Sequence, residues 1–180
     1  MNSTSAEIQE LLWPERLAVH FSSLRDDHRT PRWFLAHVKR TFKVEEFQDV
    51  ACDEENAVSP YRWTVTEDSL KEDWARCGRP CWCNPPYGPR ISAFLEKAYL
   101  TALDGGTVFG LLPARTDTAW FHRFVFGKSE VHFIQGRLRF SECLYSAPFP
   151  SLLAIWRPGL EIEKPLPLAH QMILPLHQTT

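Results

Sequence analysis

Two adjacent prolines in "CWCNPPYGPR" (Cys81–Arg90) limit what this chain can fold into more than any other feature. Each proline fixes its own φ near −65° and lacks an N–H, and the residue before a proline is pushed out of the helical region. The extended run "RPCWCN" is therefore expected to stop at Pro85 and Pro86. Beyond them, "ISAFLEKAYLTALDGG" places Ile91, Leu95, Ala98 and Ala102 on one helical face, with glycines at its C-terminal end. A strand, a rigid loop and then a helix put that loop at the carboxyl edge of a sheet, where open α/β folds bind ligands.

The flanking segments support this layout. "TPRWFLAHVKRTF" predicts a helix entered through Thr30 as N-cap, with Pro31 in its first turn and Phe34, Val38 and Phe42 on one face. "EEFQDVAC" and "YRWTV" are expected to be short strands, and "TVFGLLP" a buried one. "DTAWFHRFVFG" is expected to be a helix, followed by strands in "EVHFIQG", "RLRF" and "SLLAIW". Strands alternating with helices indicate an α/β sheet, with an antiparallel tendency near its end. We divide the chain into an N-terminal extension (1–20), one domain (21–158) and a proline-spaced tail (159–180).

At 180 residues with 44% hydrophobic side chains, one domain can bury a real core, which argues against a disordered chain. No apolar run approaches the roughly 20 residues of a membrane span. The N-terminus has no signal-peptide pattern, and five cysteines without one suggest reduced thiols in a cytoplasm. Charge is unevenly spread. Residues 41–75 carry ten acidic against three basic side chains, whereas 110–140 carry five basic against two acidic. An acidic part suits a cationic small molecule and a basic part a polyanion, although both are also what solvated surfaces look like.

Asn-Pro-Pro-Tyr should arise by chance in roughly one chain in a thousand of this size. One reading is a Pro-Pro turn with a locally capping Asn. The other is methylation of an amine. An amine conjugated to a ring is a poor nucleophile, because its lone pair is delocalised. The Asn84 side-chain carbonyl and the carbonyl of Pro85 can both accept from such an NH2 and aim its lone pair at a methyl donor. Pro86 helps hold those carbonyls rigid, and Tyr87 offers a flat face for a base.

The motif resembles the active-site motif of S-adenosylmethionine-dependent amino methyltransferases. The wider pattern is similar to the phage-type (Dam-like) DNA N6-adenine methyltransferases. The matching stretches are "FSSLRDDHRTPRWF", "DVACDEENA", "EDSLKEDW", "CNPPYG", "LLPARTDTAWFH", "FIQGRLRF" and "SAPFPS", in the family's order from about Phe21 to Trp156. The resemblance implies a Rossmann-like methyltransferase sheet with helices on both faces, mixed at its C-terminal edge. It implies S-adenosylmethionine as cofactor and double-stranded DNA as partner, with a flipped adenine as target. It also implies Asn84, Pro85, Pro86 and Tyr87 as the catalytic loop. Thr30 and Pro31 would help hold the cofactor's methionine end, and Asp49, Ala51 and Cys52 would form the loop after the first strand. Asp68 would accept the cofactor's adenine amine, with Leu70 nearby and Asn84 at the methyl. The glycine-rich turn usual after the first strand is missing, as it is in the phage-type family. Side chains such as Asp53 or Asn56 are therefore expected where backbone would otherwise approach.

Several groups remain to be placed. Arg115 and Asp117 sit just past a predicted strand and form either a substrate contact or a loop ion pair. His122 is a candidate phosphate contact or a surface cap. Arg137 and Arg139 alternate with Leu138 and Phe140 and so share one face, toward DNA or solvent. Phe149 is a candidate stacking partner for the base. Cys77, Cys81 and Cys83 lack the spacing of a zinc site, and no metal is expected. With no room for a separate recognition domain, a short or relaxed target is expected. A phage or prophage origin in a bacterial cytoplasm follows from the resemblance. Methylation of RNA or of a protein glutamine, or a non-catalytic remnant that binds DNA or cofactor, are the competing readings.

Overall fold

The computed structural model describes residues 29–64, 66–140 and 146–160. The extension over 1–20, the stretch "FSSLRDDH" and the tail from 161 onward lie outside the described residues.

Five strands form one mixed sheet: β1 (Gln48–Asp49), β2 (Cys81–Cys83), β3 (Val108–Pro113), β4 (Glu130–Phe133) and β5 (Ser151–Trp156), in the order β1-β2-β3-β5-β4. β1, β2 and β3 are parallel, with Gln48 opposite Cys81 and Cys83 opposite Gly110. β5 enters antiparallel between β3 and β4, pairing Pro113 with Ser151 and Phe133 with Leu152. Every residue of β2, β3 and β5 is buried, which is why "VFGLLP" and "SLLAIW" read as continuous apolar runs rather than alternating ones.

One helix covers each face. α1 (Arg32–Phe42) buries Phe34, Leu35 and Val38 against Phe47, Trp82, Phe109 and Ile155. α2 (Ile91–Leu103) buries Ile91, Leu95, Ala98 and Ala102, as its spacing predicts, against Val108, Leu112 and Trp156. Each fully buried Val, Leu, Ile or Phe side chain among these contributes about 1.5–3 kcal/mol.

Three fully buried tryptophans tie the connections to the sheet, each through its indole N–H. Trp74 donates to the Ser69 carbonyl at 2.7 Å, Trp82 to Thr30 Oγ1 at 3.1 Å, and Trp156 to the Phe124 carbonyl at 2.7 Å. The Trp156 ring also explains Gly110. A Cβ built there would come within 2.6 Å of that ring, so only glycine lets the indole lie across β3.

Four local expectations are corrected. Thr30 is not the N-cap of α1: Pro31 holds that position, its carbonyl accepting from Phe34 and Leu35, while the Thr30 hydroxyl takes the Trp82 indole. "YRWTV" supplies one parallel bridge, Arg62 to Asp49, rather than a strand. Just beyond, the Glu67 carboxylate accepts from the Thr64 backbone at 2.7 Å and from its hydroxyl. "RLRF" keeps the predicted alternation, with Leu138 and Phe140 buried and both arginines exposed. Its Leu138 carbonyl accepts from the Ala147 N–H, and it forms no ladder among the described residues. "DTAWFHRFVFG" becomes a π-helical turn over Phe121–Val125, which buries Phe121, Phe124 and Val125 together.

Candidate functional site

The chain leaves β1 toward Arg62 on one side, whereas β2 lies on its other side. Neighbouring strands whose connections run opposite ways open a crevice at their carboxyl ends. That crevice lies between two loops, one after β1 and one after β2.

The β1 loop is closed by its own side chains. Asp49 accepts from Val58 N–H at 2.9 Å and from Ala51 N–H at 3.3 Å. Burial nevertheless pushes its pKa up to about 6, against the lowering effect of those two bonds. Asp53 Oδ1 accepts from the N–H groups of Glu55 and Asn56, and its Oδ2 from Asn56 Nδ2. Asn56 Oδ1 returns a bond by accepting from Asp53 N–H at 2.8 Å. Hydrogen bonds worth about 0.5–1.5 kcal/mol each thus do what a glycine turn does elsewhere. Cys52 is buried behind this loop, its thiol donating to the Trp63 carbonyl, and burial raises its pKa well above the usual thiol range.

The β2 loop is closed by covalent restraint. Pro85 is buried and Pro86 half-buried, and Tyr87 folds back so that its hydroxyl lies 3.0 Å from Asn84 Oδ1 and 3.2 Å from the Leu111 carbonyl. Burial raises the Tyr87 pKa well beyond the usual phenol range, so the group is a neutral donor with one proton between two acceptors. Its ring meets Phe149 edge-on at 5.5 Å and Phe140 at 6.4 Å, and those two lie 6.5 Å apart.

Between the loops lies a cleft of about 450 Å³. Trp63, Phe94 and Pro86 supply apolar lining, Asp68 and Ser69 polar lining, and the exposed Arg90 also borders the cleft. Asp68 sits in the left-handed region at φ 53°, which Asp tolerates better than most side chains, and its carboxylate meets Lys71 Nζ at 3.0 Å. A second, small pocket of about 10 Å³ adjoins the cleft, lined by Arg29, Thr30, Asp49 and Trp82 among others. Ala51, Asn56 and Asn84 line both, so the two cavities form one trough with Asn84 at their junction.

Most of the residues singled out from sequence converge here. Ala51, Cys52, Asp53, Asp68, Asn84 and Pro86 line the cleft, and Thr30 and Asp49 line the small pocket. Leu70 instead packs against the core, and Ser69 takes the place at the wall, its hydroxyl donating to the Val50 carbonyl at 2.6 Å. Arg115, Asp117 and His122 are exposed beyond β3 on the surface, as are Arg137 and Arg139. No ion pair joins Arg115 to Asp117 among the described residues. Phe149 stands against Tyr87, half-buried. Sequence reasoning missed Arg29, Trp63, Ser69, Arg90 and Phe94. Arg29 and Arg90 directly flank motifs and carried a signal; Trp63 reaches the cleft only because the chain crosses beside β1.

A family described as DNA N-6-adenine-methyltransferase (Dam) matches residues 19–161, a span that contains both loops and the Tyr87–Phe140–Phe149 trio. The chain belongs to this family. Two curated phage proteins named DNA N-6-adenine-methyltransferase are similar to it. That of Haemophilus phage HP1 (strain HP1c1) is 29% identical over 110 residues, covering 61% of this chain and 62% of that protein. That of Escherichia phage T1 is 30% identical over 116 residues, covering 64% of this chain and 48% of that protein. The match thus spans less than two thirds of either relative. No solved structure matches the chain significantly. Among the described residues, no three His, Cys, Asp or Glu side chains gather as a metal site, and no helix is long and apolar enough to cross a membrane.

Proposed function

We propose that this protein is an S-adenosylmethionine-dependent DNA methyltransferase that modifies the exocyclic N6 of adenine. The observation that carries the reading is the position of Asn84 at the junction of the two cavities, on a loop held by two prolines. Family membership and the printed names of both phage relatives support adenine in DNA as the target. The parallel β1–β2–β3 run with β5 inserted antiparallel supports a Rossmann-like methyltransferase sheet.

The donor set fits the cofactor. Aromatic walls and a carboxylate in the cleft suit an aminopurine, and an arginine with a buried aspartate in the small pocket suits an amino-acid end. S-adenosylmethionine supplies an electrophilic methyl when bound. Asp68 and Ser69 orient the nucleoside, and Trp63 and Phe94 flank it. Asn84 Oδ1 and the Pro85 carbonyl accept from the target NH2 and hold its lone pair in line. The Tyr87 hydroxyl keeps the Asn84 amide turned toward that task. A base inside a duplex cannot reach this loop, so the adenine is flipped out and rests against Tyr87 and Phe149. The amine releases its proton after transfer, and no strong general base is required. The exposed arginines at 115, 137 and 139 supply phosphate contacts.

The test is methyl transfer from labelled S-adenosylmethionine to unmethylated DNA, RNA and protein, with N6-methyladenine mapped afterwards. Label in adenine N6 of DNA is expected; label in RNA or protein alone overturns the substrate assignment. Asn84→Ala should lower turnover by about 10²–10³-fold while S-adenosylhomocysteine affinity stays near that of the native chain. Near-native turnover in that variant would sink the role given to Asn84.

A further inference from the structure

Two thiols that methyl transfer does not use meet beside the Trp74 carbonyl. Cys77 Sγ lies 3.7 Å from Cys81 Sγ, and the two sulfurs stand 3.2 and 3.6 Å from that carbonyl oxygen. The pair differs in access. Cys81 is fully buried at the start of β2, whereas Cys77 is half-buried and adjoins the exposed Gly78. Gly78 has φ 81° and open space where a side chain would stand, which leaves the Cys77 side of the loop open to a small solute. The Cys81 thiol beside it holds the Cys77 pKa down at about 6, against burial. The same contact, together with burial, raises Cys81 above the usual thiol range. The outer sulfur is thus the nucleophile, and the inner one keeps its proton.

We propose that Cys77 and Cys81 form a reversible redox pair, and that its oxidation by a peroxide loosens the cleft at Ser69. The Cys77 thiolate attacks a peroxide oxygen: an S–O bond forms, the O–O bond breaks and hydroxide leaves. Sulfur gives up two electrons and the peroxide takes them. The Cys81 sulfur then attacks the Cys77 sulfenic acid. The S–S bond forms, the S–O bond breaks, and the oxygen leaves as water with the Cys81 proton.

Closing 3.7 Å to an S–S bond of about 2.05 Å requires one end of the loop to move. Cys81 is held, since its N–H donates to the Thr107 carbonyl at 2.8 Å and the Pro80 carbonyl accepts from Gln48 N–H at 2.9 Å. Cys77 therefore moves, and it ends the short helical turn Trp74–Arg76. A disulfide has no S–H, so the Trp74 carbonyl also loses both thiol donors. The Trp74 indole donates to the Ser69 carbonyl at 2.7 Å, and Ser69 lines the cleft. One side chain thus carries the displacement to the cleft. The effect on binding rests on the reading of that cleft as an S-adenosylmethionine site; the disulfide does not.

Hydrogen peroxide titration of the full chain, followed by thiol alkylation and peptide mapping, tests the pair. A linked Cys77–Cys81 peptide is expected, restored to free thiols by dithiothreitol, with Cys52 and Cys83 still reduced. In Cys81→Ser, Cys77 should stop at the sulfenic acid and be trapped by dimedone. Calorimetry should show S-adenosylhomocysteine bound about 5-fold more weakly after oxidation, the loss of one neutral hydrogen bond. Cys77→Ser should show no such change after the same treatment. Absence of the linked peptide, or oxidation of Cys52 or Cys83 ahead of Cys77, would overturn the proposal. A linked peptide with unchanged affinity defeats the coupling to the cleft. If the reduced chain binds no S-adenosylhomocysteine, the cofactor reading fails and the coupling with it, while the linked peptide alone decides the redox pair.

Discussion

The loops after β1 and β2 face each other across one trough and are made rigid in opposite ways. The β2 loop relies on the chain's covalent geometry, since Pro85 and Pro86 cannot rotate about φ whatever surrounds them. The β1 loop has neither proline nor glycine between Asp49 and Ala57, and it relies on the carboxylates of Asp49 and Asp53 and the amide of Asn56. Restraint by proline survives changes in solvent; restraint by carboxylates depends on their charge and on being kept from water. The β2 loop should therefore be insensitive to pH, and the β1 loop sensitive to it.

The largest expected effect bears directly on that contrast. Burial raises the Asp49 pKa from the usual 3.8 to about 6. The folded chain then binds the Asp49 proton more tightly than the unfolded chain does. Its contribution to stability is fullest below pH 3.8 and is lost as pH rises toward 6, by about 3 kcal/mol in all. Urea midpoints of the native chain and Asp49→Asn across pH 4–7 measure it. The native chain should lose ground to the variant as pH rises, and parallel curves would remove the contrast between the loops.

Next comes the proline loop. Replacing Pro85 and Pro86 together by alanine should slow transfer by about 10²-fold, because small misplacement of a positioned group costs that much. Affinity for S-adenosylhomocysteine should hardly move. A shared fall in rate and affinity would mean that the two loops act as one unit. The smallest effect is expected for Asp53→Ala, which removes the acceptor for Glu55 N–H, Asn56 N–H and Asn56 Nδ2. It should lower stability by about 1–2 kcal/mol, since the loop is partly open to water. It should also raise KM for the cofactor more than it lowers kcat, the reverse of the proline variant, as steady-state kinetics would show.

The same contrast governs what was legible beforehand. Proline acts within its own residue, so the end of β2 and the loop could be read directly. The buried face of α2 was legible too, because Ile91, Leu95, Ala98 and Ala102 needed only the helical period. The Thr30 hydroxyl was misjudged because the local rule for caps was overridden by Trp82, 52 residues away. "YRWTV" has the composition of a strand, yet it makes a single bridge, and the Thr64 N–H goes to the Glu67 carboxylate rather than to a neighbouring strand. Ser69 and Leu70 are adjacent, and which of them faces the cleft was settled by Trp74 drawing on the Ser69 carbonyl.

By itself the sequence determined the features that live in one residue, one helical turn or a run of short motifs: the stop at Pro85, the buried stripe of α2 and the family pattern. Tertiary structure decided which distant groups meet. It set β5 between β3 and β4, brought Trp63 and Phe94 to one cleft, and put Arg29 and Asn84 in one pocket. The reason is physical. Backbone dihedrals and helical periods are set by neighbours in the chain, whereas strand order and side-chain partners are chosen by burial across the whole sheet.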